Sequence, residues 1–337
     1  MSVVFGTFYQ QLVGDGLLFA AAVVLVFGAS VSYLYADRYR MSKVVVGTPA
    51  PETAHQLTPA PETTDQLTPA RFVWMDMYKA GRRYNAAEKL RAFGVSVVTT
   101  DDVVPEQLRV EHIDSVRHWD EWIACVNRTV DVIGDRESVD GARTVLAGFA
   151  PASMFVLLGM RMPELGTDDC GVSVVNPAGR VSQYWSLDED DISTGATPET
   201  AILAGNIMTV SARSGLLMML FTLNPSYSIG IENLARKLQA DIGETIIGTT
   251  VITPDGSAAR MVEPSDAGQL YYDMGRALRS QLELTPNCTG LVVASTLPQP
   301  LNLLLGRLLV RIAPNLPVTL VEKVGHPYQV VCTVHPV

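Results

Sequence analysis

The chain has 337 residues, 47% of them hydrophobic, with a formal net charge of −10 and a pI near 5.0. It is long enough for two domains or one large one with a true core. It is too acidic for a general nucleic-acid binder, so any phosphate contact must be local. Four scattered cysteines (Cys125, Cys170, Cys288, Cys332) form no Cys-x-x-Cys pair, and the five histidines show no metal-ligand spacing. That argues against a zinc site or a disulfide framework and for a reducing compartment.

Between Asp15 and Asp37 the residues Gly16 to Ala36 carry no charge. As a helix rising about 1.5 Å per residue they reach across a hydrocarbon core of about 30 Å. Tyr33 and Tyr35 fall near one end, where an aromatic belt would hold them. A cleaved signal peptide fits poorly, because residues 1–15 contain no Lys or Arg and the apolar run is too long. Arg38, Arg40 and Lys43 follow the run. The positive-inside rule therefore predicts residues 1–47 as a single-pass membrane anchor (span 16–36), N-terminus outside and the remainder cytoplasmic.

Residues 48–70 contain a ten-residue unit, Thr-Pro-Ala-Pro-Glu-Thr-x-x-Gln-Leu, at 48–57 and again at 58–67. With few apolar residues and regular Pro, this reads as an extended spacer reaching roughly 70 Å at about 3.1 Å per residue. A docking motif for a proline-reading domain is the alternative.

From 71 to 337 the pattern alternates strand and helix, and it does so twice. Phe72–Asp76, Asn85–Arg91 and Gly94–Asp101 match Leu220–Asn224, Asn233–Leu238 and Gly243–Thr250. The offsets are 148 (Asn85 to Asn233), 149 (Gly94 to Gly243) and 147 (Pro151 to Pro298). Helical stretches follow at Trp119–Ile133 and Ala267–Leu282, then two copies of one step, Val145–Gly159 and Val292–Gly306. Each copy is an apolar run, a Pro (Pro151, Pro298) and, eight residues on, a Gly (Gly159, Gly306). Pro suits the first turn of a helix, so each reads as strand, tight turn, helix. Last strands are expected at Gly171–Val175 and Pro317–Val321. The fold class is α/β, two pseudo-repeated Rossmann-like halves with mainly parallel sheets, at 71–186 and 217–337 and bridged by 187–216.

Motifs for catalysis are absent: no Gly-x-Ser-x-Gly, no Gly-x-x-x-x-Gly-Lys-Ser/Thr, no Gly-x-Gly-x-x-Gly after a strand, no His-Glu-x-x-His. Acidic runs (Asp101-Asp102, Asp168-Asp169, Asp188 to Asp191) are solvated turns or, alternatively, a hidden metal site. The expectation is a binding protein without catalytic residues, metal or cofactor. Parallel sheets bind ligands beyond the carboxyl ends of their strands, next to helix N-termini that favour anions. Four loops fit. Met77 to Tyr84 offers Tyr78, Lys79, Arg82 and Arg83, suited to phosphates and to stacking on a base, or else a basic helix entry. Its counterpart, Asn224 to Ile229, offers Ser226 and Tyr227. The two Pro turns offer Phe149 and Ser153, and Ser295, Thr296 and Gln299; their small residues serve a ligand or helix–sheet packing. The turns should face one cleft, asymmetric because half one carries the cations.

The segments Ala147-Gly-Phe-Ala-Pro with Leu158-Gly159, and Ala294-Ser-Thr-Leu-Pro with Leu305-Gly306 and Val318-Thr-Leu-Val321, resemble the SAVED domain. That family fuses two CARF-like halves and senses cyclic oligonucleotides in bacterial antiphage (CBASS) systems. The resemblance, over 71–337, implies a cytoplasmic receptor for a cyclic oligoadenylate such as cyclic tri-AMP. It implies a functional link to a CD-NTase-like cyclase that makes the ligand, and a ligand-induced homo-oligomer whose gathered helices perturb the bilayer. The family's usual effector module has no room before residue 71, so the transmembrane helix would take that part. The alternatives from other classes are a membrane-anchored α/β enzyme acting on nucleotides or sugars, and a tethered interaction scaffold.

Overall fold

The computed structural model describes residues 68–77, 90–103, 119–134, 142–162, 170–175, 181–186, 203–208, 213–224, 231–254, 262–323 and 328–335. All lie in one unit, Asp65–Val337. The expected membrane span and most of the spacer fall outside these residues. Among the described residues no helix is long and apolar enough to cross a membrane.

Half one contains β1 (Thr68–Asp76), β2 (Val95–Val103), α1 (Trp119–Gly134), β3 (Arg143–Phe149), α2 (Ala152–Arg161), β4 (Cys170–Val175) and β5 (Val181–Ser186). Then come β6 (Leu203–Met208), β7 (Gly215–Phe221), α3 (Ile231–Ile242), β8 (Ile246–Pro254), α4 (Ala267–Leu284), β9 (Cys288–Ser295), α5 (Gln299–Ile312), β10 (Val318–Lys323) and β11 (Tyr328–Val334). The first sheet runs β2-β1-β3-β4-β5 and the second β11-β10-β9-β7-β8-β6. Read from β8 to β11, the second repeats the order of the first. In each, four strands are parallel and the last is an antiparallel edge. The pseudo-repeat is therefore topological. It extends to backbone detail: Gly94 (φ 74°) and Gly243 (φ 79°) hold the same left-handed turn before β2 and β8. Pro151 (φ −56°, ψ 153°) and Pro298 (φ −58°, ψ 155°) start α2 and α5 alike.

Three boundaries differ from the sequence reading. β1 begins at Thr68, inside the segment read as spacer, because Thr68 to Ala70 pair with Val95 to Val97. The segment 187–216, read as a bridge, contributes β6, which adds an antiparallel edge to β8. Each proline stands at the N-cap, one residue before the first turn; Pro151 there accepts the Met154 amide through its carbonyl at 3.1 Å.

Burial explains the layers. Every residue of β7 is buried, as expected for a central strand covered on both faces. α3 buries only Ile231, Ala235 and Leu238, one stripe against the outer face of the second sheet. α2 and α5 are different. Ser153 to Met160 and Pro300 to Leu309 are buried without interruption. Helices buried on every side lie inside a core, and one hydrophobic cluster joins residues of both sheets through them.

The two helices touch backbone to backbone. A Cβ on Gly159 would stand 2.0 Å from the Leu303 carbonyl oxygen, and one on Gly306 would stand 2.1 Å from that of Val156. The repeated Pro-to-Gly step is therefore explained at both ends: Pro begins the helix, and Gly admits the partner helix. Gly306→Val should lower stability by at least about 3 kcal/mol in urea unfolding, through overpacking that cannot relax. Gly94→Ala, with nothing within 4 Å of its Cβ, should lose only about 1–2 kcal/mol from the left-handed conformation. Equal losses from the two substitutions would contradict the crossing.

Candidate functional site

The strand β3 ends at Phe149 and β9 at Ser295, and each runs into a Pro turn and a buried helix. The helix crossing brings these turns together. The Gln299 side chain, at the start of α5, donates through Nε2 to the Gly148 carbonyl at 2.9 Å. The Ser153 amide, in the first turn of α2, donates to Glu322 Oε2 at 2.8 Å. Half two thus supplies both polar contacts at this seam, an amide and a carboxylate.

Gly148 is required where it stands: a Cβ would lie 1.7 Å from the Met75 carbonyl oxygen on the neighbouring strand β1. Phe149 is half-buried and meets Trp74 edge-on, ring centroids 5.7 Å apart, which assigns its ring to the outer face of the first sheet. Its carbonyl accepts the Met77 amide at 2.8 Å, so the entry to the cation-rich loop is tied to the first turn. Ser153 is buried.

The second turn is fixed by its own hydroxyls. Ser295 Oγ donates to Asn302 Oδ1 at 2.5 Å and accepts the Leu297 amide at 3.2 Å. Asn302, buried in α5, closes the ring by donating through Nδ2 to the Leu297 carbonyl at 2.7 Å. Thr296 Oγ1 donates to Thr222 Oγ1 at 2.9 Å, and the Thr296 amide donates to the Phe221 carbonyl. Thr222 in turn accepts the Asn224 amide at 3.0 Å. These bonds stiffen the ends of β7 and β9 together. Gln299 Oε1 is buried and meets no hydrogen-bond donor among the described residues. It is a buried acceptor on the same side chain that crosses to Gly148.

Of the sequence-predicted residues, Gln299 bridges to the first turn, beside Ser153. Ser295 and Thr296 instead spend their hydroxyls inside the second turn. Tyr78, Lys79, Arg82, Arg83, Ser226 and Tyr227 lie outside the described residues. Sequence reasoning missed Glu322, Asn302 and Thr222. Glu322 follows directly on Val318–Val321, and only the helix crossing carries it to the other half. Asn302, a polar residue in the Leu-rich run after Pro298, was the one legible signal.

Glu322 has its pKa raised, chiefly because burial penalises the carboxylate; the Ser153 hydrogen bonds oppose this. Its partner is a helix N-terminus, whose dipole also favours the anion. Cys288 and Cys332 are likewise raised by burial, Cys332 to about 11, which keeps both as unreactive thiols near neutrality. Among the described residues no cluster of His, Cys, Asp and Glu could hold a metal ion.

Neither a family model nor a curated protein matches the chain. Solved structures do. One is the Cap4 SAVED/CARF-domain containing receptor of Acinetobacter baumannii with the cyclic trinucleotide 2'3'3'-cAAA, at TM-score 0.51 and 11% identity, covering 80% of this chain and 52% of that one. The same receptor with 3'3'3'-cAAA gives TM-score 0.50 and 10% identity, covering 80% of this chain and 52% of that one. In fold, this chain is similar to a SAVED/CARF-domain receptor. It spans about half the length of those receptors. The SAVED-like resemblance first carried by two short turns therefore extends to the architecture of both halves.

Glu322 gives the seam a pH signature. Its folded pKa lies above the ordinary carboxyl value of 4.5, so its contribution to stability is full below that value. The contribution is lost as pH rises through the folded pKa. Glu322→Gln keeps an acceptor for Ser153 and cannot ionise. Urea midpoints measured upward from pH 4.5 should fall more for the wild type than for Glu322→Gln; parallel slopes would contradict the raised pKa of this carboxyl group.

Proposed function

We propose that the chain is a receptor for a cyclic oligonucleotide, with the ligand held at the seam where the two Pro turns meet. The observation that carries this is the seam itself: two helix N-termini and two strand ends, related by the repeat, joined by Gln299 and Glu322 alone among polar side chains described there. The likeness in fold to receptors solved with cyclic trinucleotides supports it. Gln299 Oε1 supplies a buried acceptor of the kind that an adenine amino group satisfies. Glu322 occupies the N-terminus of α2, the position a phosphate would favour, so a phosphate entering there has to displace or protonate a carboxylate.

In the finer reading, the ligand is a cyclic oligoadenylate such as cyclic tri-AMP, made by a CD-NTase-like cyclase. Its phosphates lie against Lys79, Arg82 and Arg83, which follow β1 in the sequence, and Tyr78 and Tyr227 serve for stacking. The protein is not an enzyme. Residues 16–36 anchor it in the inner membrane with the SAVED-like body in the cytoplasm, where the chain acts in antiphage defence. Ligand binding favours one arrangement of bodies, these assemble as homo-oligomers, and the gathered helices disturb the bilayer. The small residues Ala20 to Ala22, Gly28, Ala29 and Ser30 suit close helix packing there.

Calorimetry on the full chain in detergent tests the reading. Cyclic tri-AMP should bind, and Lys79→Glu with Arg82→Glu should weaken it by at least about tenfold through lost charge-assisted contacts. Absence of binding by cyclic tri-, di- and tetra-adenylates would overturn the receptor. Unchanged affinity in the double variant would remove the basic loop from it.

A further inference from the structure

A second groove lies away from the seam, between α4 and α5, with a volume of about 480 Å³. Its walls carry Tyr272, Arg276, Arg279, Ser280, Glu283 and Arg311. On a chain of net charge −10, three guanidiniums around one groove are a local reversal of sign. Gly275 lies beneath it against α5, where a Cβ would stand 3.2 Å from the end of the Leu308 side chain. Arg311 sits in the last turn of α5, whereas Gln299 opens its first. At about 1.5 Å per residue the two sites are separated by roughly 18 Å along the helix.

The groove is organised for a particular kind of anion. Arg276 is fixed from below by a 2.8 Å ion pair with Asp273, which is 1% exposed and also accepts from Gln269 at 3.0 Å. So held, Arg276 stands 5.9 Å from the centroid of the Tyr272 ring. That ring is 51% exposed and lines the groove. Arg279 and Arg311 are exposed, with their charges available to phosphate oxygens. Glu283 would repel a bare phosphate cluster, but a carboxylate beside arginines is suited to accept from the paired hydroxyls of a ribose. The volume is within the range of small-molecule pockets, about 300–1,000 Å³.

We propose that this groove is a second ligand site, specific for a ribonucleoside phosphate. Its phosphates are held by Arg279 and Arg311, its base lies against Tyr272, and its ribose hydroxyls donate to Glu283. The site is independent of the seam and of the cyclic ligand proposed for it.

Calorimetry of the full chain in detergent with ADP, 2′-deoxy-ADP and pyrophosphate tests this. ADP should bind. Arg279→Glu with Arg311→Glu should weaken ADP by at least about tenfold, as expected when charge-assisted contacts reverse sign. Glu283→Gln should bring ADP and 2′-deoxy-ADP to the same affinity. Tyr272→Ala should weaken ADP while leaving pyrophosphate unchanged, which a misfolded variant would not do. No heat with millimolar ADP, or an unaffected double arginine variant, would overturn the proposal. So would ADP displaced by cyclic tri-AMP, which would assign it to the seam. Failure of cyclic tri-AMP to bind, with ADP still following the groove variants, would sink the receptor reading and leave this one standing.

Discussion

The contact on which the body depends is the crossing of α2 and α5 at Gly159 and Gly306. Each glycine lies so near the opposing backbone that any side chain there would occupy the space of a carbonyl group. Because the backbones touch, the leucine-rich flanks of both helices can reach both sheets, and one core runs through the two halves. The same contact fixes where the helices begin, and with them the Pro turns. A well-packed crossing of this kind resists continuous deformation. A ligand at the seam is therefore expected to act on the turns, on Glu322 and on the loops beyond them, rather than by levering the halves apart.

The seam is asymmetric, though by other means than the sequence suggests. The sequence places its cations in half one, at Lys79, Arg82 and Arg83, and neutral hydroxyls in half two. In the structure the hydroxyls of Ser295 and Thr296 serve their own turn, with Asn302 and Thr222. What half two contributes across the seam is an amide and a carboxylate, Gln299 and Glu322. A half-buried carboxyl group that accepts from the start of α2 both caps that helix and holds a position that an incoming phosphate would favour. One residue thus links the integrity of the seam to its occupancy by an anion.

Much of the fold was legible in the sequence because the signals were periodic and came twice. Trp119–Ile133 and Ala267–Leu282 were read almost to their ends, and the strands at 171–175 and 317–321 to within a residue or two. Gly94 and Gly243 betrayed themselves by position, since a left-handed turn before a strand admits little else. The antiparallel strands β5, β6 and β11 were not seen. Edge strands carry mixed polar patterns, and Leu203–Met208 follows an acidic run that reads as linker. Gly159 and Gly306 were noticed as spacing, not as contact, because two helices approaching from distant parts of the chain leave no local mark. Glu322 was missed for the same reason: its partner Ser153 lies 169 residues away in sequence.

The central claim is that the turns at 148–153 and 295–299 together receive the ligand. Hydrogen exchange of the full chain, with and without saturating cyclic tri-AMP, tests it most directly. Slowed exchange at both of those turns and at residues 77–84 and 224–229, which follow β1 and β7, in both halves at once, is the result expected. Protection in one half only, or binding without any change at either turn, would contradict it.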